Sequence, residues 1–170
     1  MSMIFQIRMI SGENEDFLRD YEVSYAMSLL DFDSFICEDL GFDAMDMTSF
    51  FLSNERWEQE QEFTLMDMGS DIPGAPIAME NVTLGQILRK NHDRLIYVFD
   101  QLSDRVMFLE LMGTIKTDPQ AEYPRITKSE GIAPAQFIAN MEGETNDSIF
   151  GDAMEDFFHF EGDDFYDDDF

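Results

Sequence analysis

Residues 94–111 read RLIYVFDQLSDRVMFLEL, and no other stretch constrains the fold as strongly. Two apolar runs, 95–99 and 106–111, are joined by Asp100, Gln101, Leu102, Ser103, Asp104 and Arg105. Short runs rich in Ile, Val, Tyr and Phe, broken by a turn, form a β-hairpin. The first run is apolar at five consecutive positions, so it must be covered on both faces. It is therefore a central strand. The chain has to supply flanking strands and something apolar to lay over the sheet.

The N-terminal half supplies both. Residues 4–10 alternate, with Phe5, Ile7 and Met9 on one face and Gln6 and Arg8 on the other, as in a half-buried strand. After the polar turn SGENED at 11–16, residues 18–24 return antiparallel, with Leu18, Tyr21 and Val23 as apolar positions. Ser28 and Asp31 resemble a capping box, with Asp in place of Glu. Leu29, Phe32, Ile36 and Leu40 then recur at helical spacing, and Gly41 follows where a helix C-terminus prefers glycine. Cys37 sits beside Ile36 as a packed thiol, with no His or cation nearby in sequence to activate it.

The remaining elements are shorter. Residues 48–52 and 63–66 read as strands, with a polar segment around Trp57 between them. Residues 68–80 hold two prolines and two glycines and read as an exposed loop. Thr83 and Gln86 form a capping box for a helix over 84–90, weakened by Gly85, with Arg89 and Lys90 at its negative end. Residues 114–131 are polar, and 133–140 suit a last short helix with Pro134 in its first turn. The sum is an α+β fold: a mixed sheet with one main helix packed across it.

Composition divides the chain into a domain at 1–140 and an acidic tail at 141–170. The tail has 12 Asp and Glu and no Lys or Arg, which leaves 25 acidic and all 10 basic residues before it. A net charge of −27 disfavours direct binding to nucleic acid or to anionic membranes and favours a basic protein partner. Aromatics are interleaved with the acids, a composition of interaction segments. Phe157, Phe158 and Phe160 are the candidate anchors. Asp163, Asp164, Asp167, Asp168 and Asp169 are the candidate steering charges toward a basic partner, or toward a site that ordinarily holds nucleic acid.

These acids lack the spacing and glycine of a calcium-binding loop, and His92 and His159 stand far apart with one cysteine, so no metal or cofactor is expected. The lone cysteine also excludes an internal disulfide. The N-terminus lacks a basic head followed by an apolar block, so a cytoplasmic location is expected. Oligomeric state is left open.

Three stretches, SLLDFDSFICEDLGFD with TSFFL after it, RLIYVFDQLSDRVMFLEL, and YPRITKSEGIAPAQF, together resemble the plasmid-borne open-reading-frame-three-like family, also known as insertion-element passenger proteins. The resemblance covers about residues 3–138. Where the commoner family pattern has a Gly-Asp pair, then Trp and His, this hairpin has Leu102, Ser103, Arg105 and Met107. The chain thus resembles a divergent, acidic branch. The resemblance implies a β-grasp-like α+β fold and no particular reaction.

Asp100 is the one polar residue closing the apolar strand. It serves either as a turn-setting acceptor of backbone N–H groups or as a general base beside a pocket. No nucleophile elbow, phosphate loop or paired catalytic carboxylates accompany it. A non-enzymatic binding module is therefore the reading favoured, with an enzyme centred near Asp100 as the alternative.

Overall fold

In the computed structural model, residues 3–43, 48–66, 69 and 72–136 are described. They fall within the first of two compact units, Met1–Gln136. Strands β1 (Met3–Ser11) and β2 (Leu18–Ser24) form an antiparallel hairpin with Ile7 opposite Tyr21. Helix α1 (Leu29–Leu40) follows. Ser28 Oγ accepts the Asp31 N–H at 3.0 Å, and Gly41 closes the helix in the left-handed region at φ 72°. Strands β3 (Ser49–Ser53), β4 (Gln59–Thr64) and β5 (Ile77–Ala78) come next. A single 3-10 turn, Met79–Asn81, leads to helix α2 (Leu84–Ile87). Strands β6 (Arg94–Asp100), β7 (Arg105–Lys116) and β8 (Arg125–Glu130) complete the described chain.

All eight strands join one sheet in the order β5-β4-β3-β6-β7-β1-β2-β8. Only β4 and β5 run parallel, so the sheet is mixed. β6 lies between β3 and β7, and all five residues from Leu95 to Phe99 are buried, as the uninterrupted apolar run requires. The fold is α+β and mostly sheet.

The core is aromatic. Helix α1 buries Leu29, Phe32, Ile36 and Cys37. Phe32 stacks on Phe50 of β3 at 5.8 Å, and Phe50 meets Tyr97 of β6 at 4.8 Å. Tyr21 of β2 meets Phe32 edge-on at 6.2 Å. Rings at these separations add contact energy beyond the area they remove from water, about 1 kcal/mol per pair. On the opposite face Ile96 and Val98 are also buried, and Trp57 from the β3–β4 connection packs edge-on against Phe108 at 4.8 Å.

Several local expectations change. In β2 the inward position is taken by Arg19, which is buried, while Leu18 is only half-buried. Arg19 is held there by three backbone carbonyls and by Asp39. The stretch at 68–80 is not all loop. It contains β5, and Met79 is fully buried. Helix α2 keeps its capping box but ends at Ile87, because the Asp93 carboxylate takes the N–H groups of Arg89 and Lys90 at 2.8 and 3.1 Å.

The polar region from 114 to 131 carries the end of β7 and the whole of β8, an edge strand without a continuous apolar face. Residues 133–136 are not helical. The Arg105 guanidinium claims the carbonyls of Ala135 and Gln136 at 2.7 and 3.1 Å, taking up acceptors that a helix would need. The remainder of the expected helix, 137–140, lies outside the described residues. No described helix is long and apolar enough to cross a membrane.

Candidate functional site

Three groupings of polar side chains emerge, one sealed inside the fold, one at the margin of the core and one on the outer face. The first joins α1, β6 and the start of β3. Asp33 Oδ1 accepts the Tyr97 hydroxyl at 2.6 Å and the Thr48 hydroxyl at 2.9 Å, and Cys37 Sγ lies 3.8 Å away. All four residues are buried. Burial raises the Asp33 carboxyl above the usual range, and the donated hydrogen bonds only partly offset it. Burial also raises the Tyr97 phenol, reinforced by the charge of Asp33. The Cys37 thiol is pushed up to about 11, again mainly by burial.

This arrangement fixes the helix on the sheet and keeps Cys37 protonated at neutral pH. Shifting the thiol from its ordinary value to about 11 lowers the thiolate fraction by about a hundredfold. Alkylation of native Cys37 by iodoacetamide at pH 8 is therefore expected to run at least about a hundredfold slower than that of a cysteine peptide. Comparable rates in mass-spectrometric time courses would show the thiol to be open and activated.

The second grouping ties β2 to α1. Asp39 Oδ2 accepts the Tyr21 hydroxyl at 2.6 Å and lies 3.3 Å from Arg19 Nε. That Nε has no aligned hydrogen-bond acceptor, so the contact with Asp39 is charge against charge. Burial, and then the bond to Asp39, push the Tyr21 phenol up.

The third grouping is on the outer face of the sheet, and strand register builds it. Arg94 of β6 faces Glu110 of β7, Glu110 faces Arg8 of β1, Arg8 faces Asp20 of β2, and Asp20 faces Lys128 of β8. The result is a row of alternating charge across five strands. Opposite charges directly across from each other stabilise neighbouring strands. Arg8 grips Asp20 through Nε and Nη2, at 2.8 and 2.9 Å, and that bond raises the Arg8 pKa. His92 Nδ1 meets Glu110 at 2.7 Å, and Arg94 meets the same carboxylate at 3.3 Å while lying 4.5 Å over the Trp57 ring.

His92 and Trp57 are both held at positive φ, 75° and 60°. Non-glycine residues adopt that region at a cost, which the surrounding contacts meet here. An open cleft of about 600 Å³ borders the row beside Lys90, Asn91, His92 and Arg94. Its charges are largely matched, so it offers a polar contact surface. Among the described residues no group of three or more His, Cys, Asp or Glu is placed to hold a metal ion.

Asp100 ends β6 and caps the hairpin turn. Its Oδ1 lies 3.4 Å from the Ser103 N–H, and its Oδ2 lies 3.6 Å from Arg105, which also binds Glu13 at 2.7 Å. The residue is thus spent on the turn and on Arg105. The candidate partner-binding residues Phe157, Phe158, Phe160, Asp163, Asp164, Asp167, Asp168 and Asp169 lie outside the described residues.

With the sheet order and these groupings in place, the chain can be set beside known proteins. The family model for "Plasmid pRiA4b ORF-3-like protein" matches residues 3–165. The chain belongs to this family. The match runs through residue 141, where composition changes, and takes in most of the acidic segment. No curated protein matches the chain.

A solved structure described as a protein of unknown function, MM3350 from Methanosarcina mazei Go1, is similar to the ORF-3-like chain with a TM-score of 0.63 at 13% identity. The similarity covers 76% of this chain and 70% of that one. At that identity the likeness shows a shared fold. The described residues that sequence reasoning did not bring together, Asp33 with Tyr97 and Arg19 with Asp39, are 64 and 20 positions apart and become neighbours only through packing.

Proposed function

We propose that this ORF-3-like chain is a cytoplasmic, non-enzymatic binding module whose acidic segment engages a basic protein partner, occupying the place that nucleic acid takes on such a partner. The observation that carries this reading is the concentration of acidic residues along the sequence at 141–170, set against a described domain whose shifted carboxyl, thiol and phenol groups are buried. The polar groups with shifted pKa values inside the fold, Asp33, Cys37, Tyr97 and Tyr21, are buried and partnered, which leaves them to structure. Asp and Glu outnumber Lys and Arg by 37 to 10, and the segment at 141–170 contains no Lys or Arg. Such a charge excess speeds encounter with a basic surface and loses force as salt rises. The alternative of a reaction near Asp100 gains nothing from its position, because its carboxylate is occupied by the turn and by Arg105.

Affinity capture with the full chain is expected to retain basic proteins that a chain ending at residue 140 does not, and a DNA duplex is expected to displace them. Replacing Phe157, Phe158 and Phe160 by Ser in the full chain should abolish retention. Neutralising Asp163, Asp164, Asp167, Asp168 and Asp169 should slow association and flatten its salt dependence. Equal retention by the full and shortened chains would overturn the proposal. Retention that survives the aromatic substitutions but not the charge changes would remove the anchor assignment and leave an electrostatic contact only.

A further inference from the structure

We propose that β8 is a homodimer edge, through which two copies of this chain pair antiparallel about a two-fold axis between Thr127 and Lys128. β8 is the last strand of the sheet, and its six residues are all exposed. Among the described residues β2 alone pairs with it, and apart from the Glu130 carbonyl, which accepts from Arg19, the backbone groups on its other side face outward as those of an edge strand do.

The pairing register of β8 with β2 supplies the specificity. Arg125 lies opposite Glu22, Ile126 opposite Tyr21, Lys128 opposite Asp20, Ser129 opposite Arg19 and Glu130 opposite Leu18, with Thr127 as the extra residue of a bulge. Arg125 bonds Glu22 on the outer face, and Thr127 lines a hollow there with Gln6, Arg8 and Asp20. Ile126 instead lines a groove with Phe35 and Asp39 of α1.

From Arg125 to Glu130 the side chains therefore point outer, core, outer, outer, core, outer. That order reads the same in both directions, which a regular strand of six residues cannot do, because its side chains alternate strictly. The bulge thus makes one symmetric register sterically coherent. It sets Ile126 against Ser129 of a second copy, Thr127 against Lys128, and Arg125 against Glu130 at both ends.

Charge fits the same register. The strand carries Arg125 and Lys128 against Glu130, so it is net positive on a chain of net charge −27. It is a place where two such chains can approach with little local repulsion. The Arg125 and Glu130 side chains are 44% and 51% exposed, so their existing partners, Glu22 and Lys128, leave them reachable. The whole-molecule repulsion still opposes association. Salt should therefore favour the dimer by screening that repulsion, the reverse of a contact driven by complementary net charges.

Sedimentation equilibrium of the full chain tests this. At about 300 mM salt the wild type is expected to dimerise measurably more tightly than at low salt. Arg125→Glu and Glu130→Arg should each be monomeric, because each sets like charges against each other at both ends. Mixing the two single variants should restore a dimer of one copy of each, since both ends are then complementary. Circular dichroism would establish that both variants are folded before mixing. A wild type that stays monomeric at high concentration and salt overturns the proposal. So does a dimer indifferent to both substitutions, or a mixture of folded variants that fails to associate.

Discussion

Replacing Ile36 by Asp is expected to unfold the domain. Ile36 lies on the inner face of α1 and is completely shielded from solvent. The substitution withdraws a large aliphatic side chain from the core and places a carboxylate among apolar groups with no partner built for it. The lost burial alone costs about 2–3 kcal/mol. The unpaired charge adds a comparable or larger cost unless the group takes up a proton. Together these approach the whole stability of an ordinary domain, about 5–15 kcal/mol.

Two controls bracket the effect. Ile36→Val removes one methylene and should cost about 1 kcal/mol. Ser34→Asp lies on the exposed side of the same helix and should change stability by less than about 0.5 kcal/mol. Thermal melts followed by circular dichroism decide it. An Ile36→Asp protein that melts cooperatively near the wild-type temperature would show that α1 presents another face to the sheet.

The parts of the fold that repeat at a fixed period were readable from the sequence. The alternation of Phe5, Ile7 and Met9, the helical spacing of Leu29, Phe32 and Ile36 with its Ser28 and Gly41 caps, and the apolar run from Leu95 to Phe99 all specify local geometry with local residues. β8 was hidden because both faces of an exposed edge strand are wet, so RITKSE carries no apolar alternation. β5 was hidden because two residues are too few for any period. The short α2 and the non-helical segment at 133–136 depart from expectation for one reason. In each case a distant or following side chain, Asp93 or Arg105, takes the backbone groups that a helix would use.

The outer charge row was half legible. Arg8 against the apolar face of β1 signals a wet side. Its alignment with Glu110 and Asp20 depends on registers, including the shift between Gln6 and Ile7, that no composition encodes.

Arg19 shows most clearly how a polar residue can hold an inward position that apolar patterning assigns elsewhere, and its removal should be nearly as damaging as the Ile36 change. The guanidinium lies 4.5 Å over the Phe17 ring and donates through Nη1 to the carbonyls of Leu18, Glu130 and Gly131 at 3.0, 2.9 and 3.3 Å. It also stands 3.3 Å from the Asp39 carboxylate, with both side chains about nine-tenths buried. One residue thereby ties β2 to α1 and to the end of β8. Gly131 lets the chain after β8 pass close to the backbone at Asp16 and Phe17, since a Cβ there would lie 2.5 Å from the Asp16 carbonyl oxygen.

Arg19→Met keeps the bulk and removes the charge. Asp39 is then left with the Tyr21 hydroxyl alone, and three carbonyls lose a donor. Breaking a buried pair from one side costs about 3–5 kcal/mol, mostly because the surviving charge is uncompensated. Adding Asp39→Asn should therefore recover part of the loss, and the recovery measures the coupling. Urea titrations should show the midpoint falling for Arg19→Met and rising again in the double variant. Amide hydrogen exchange should quicken in β8 before it quickens in β6, because the residue fastens the sheet's edge and not its centre. A single variant as stable as wild type would mean that the guanidinium's contacts are matched by water in its absence. A double variant less stable than Arg19→Met would mean that Asp39 stabilises the fold through Tyr21 and not through Arg19.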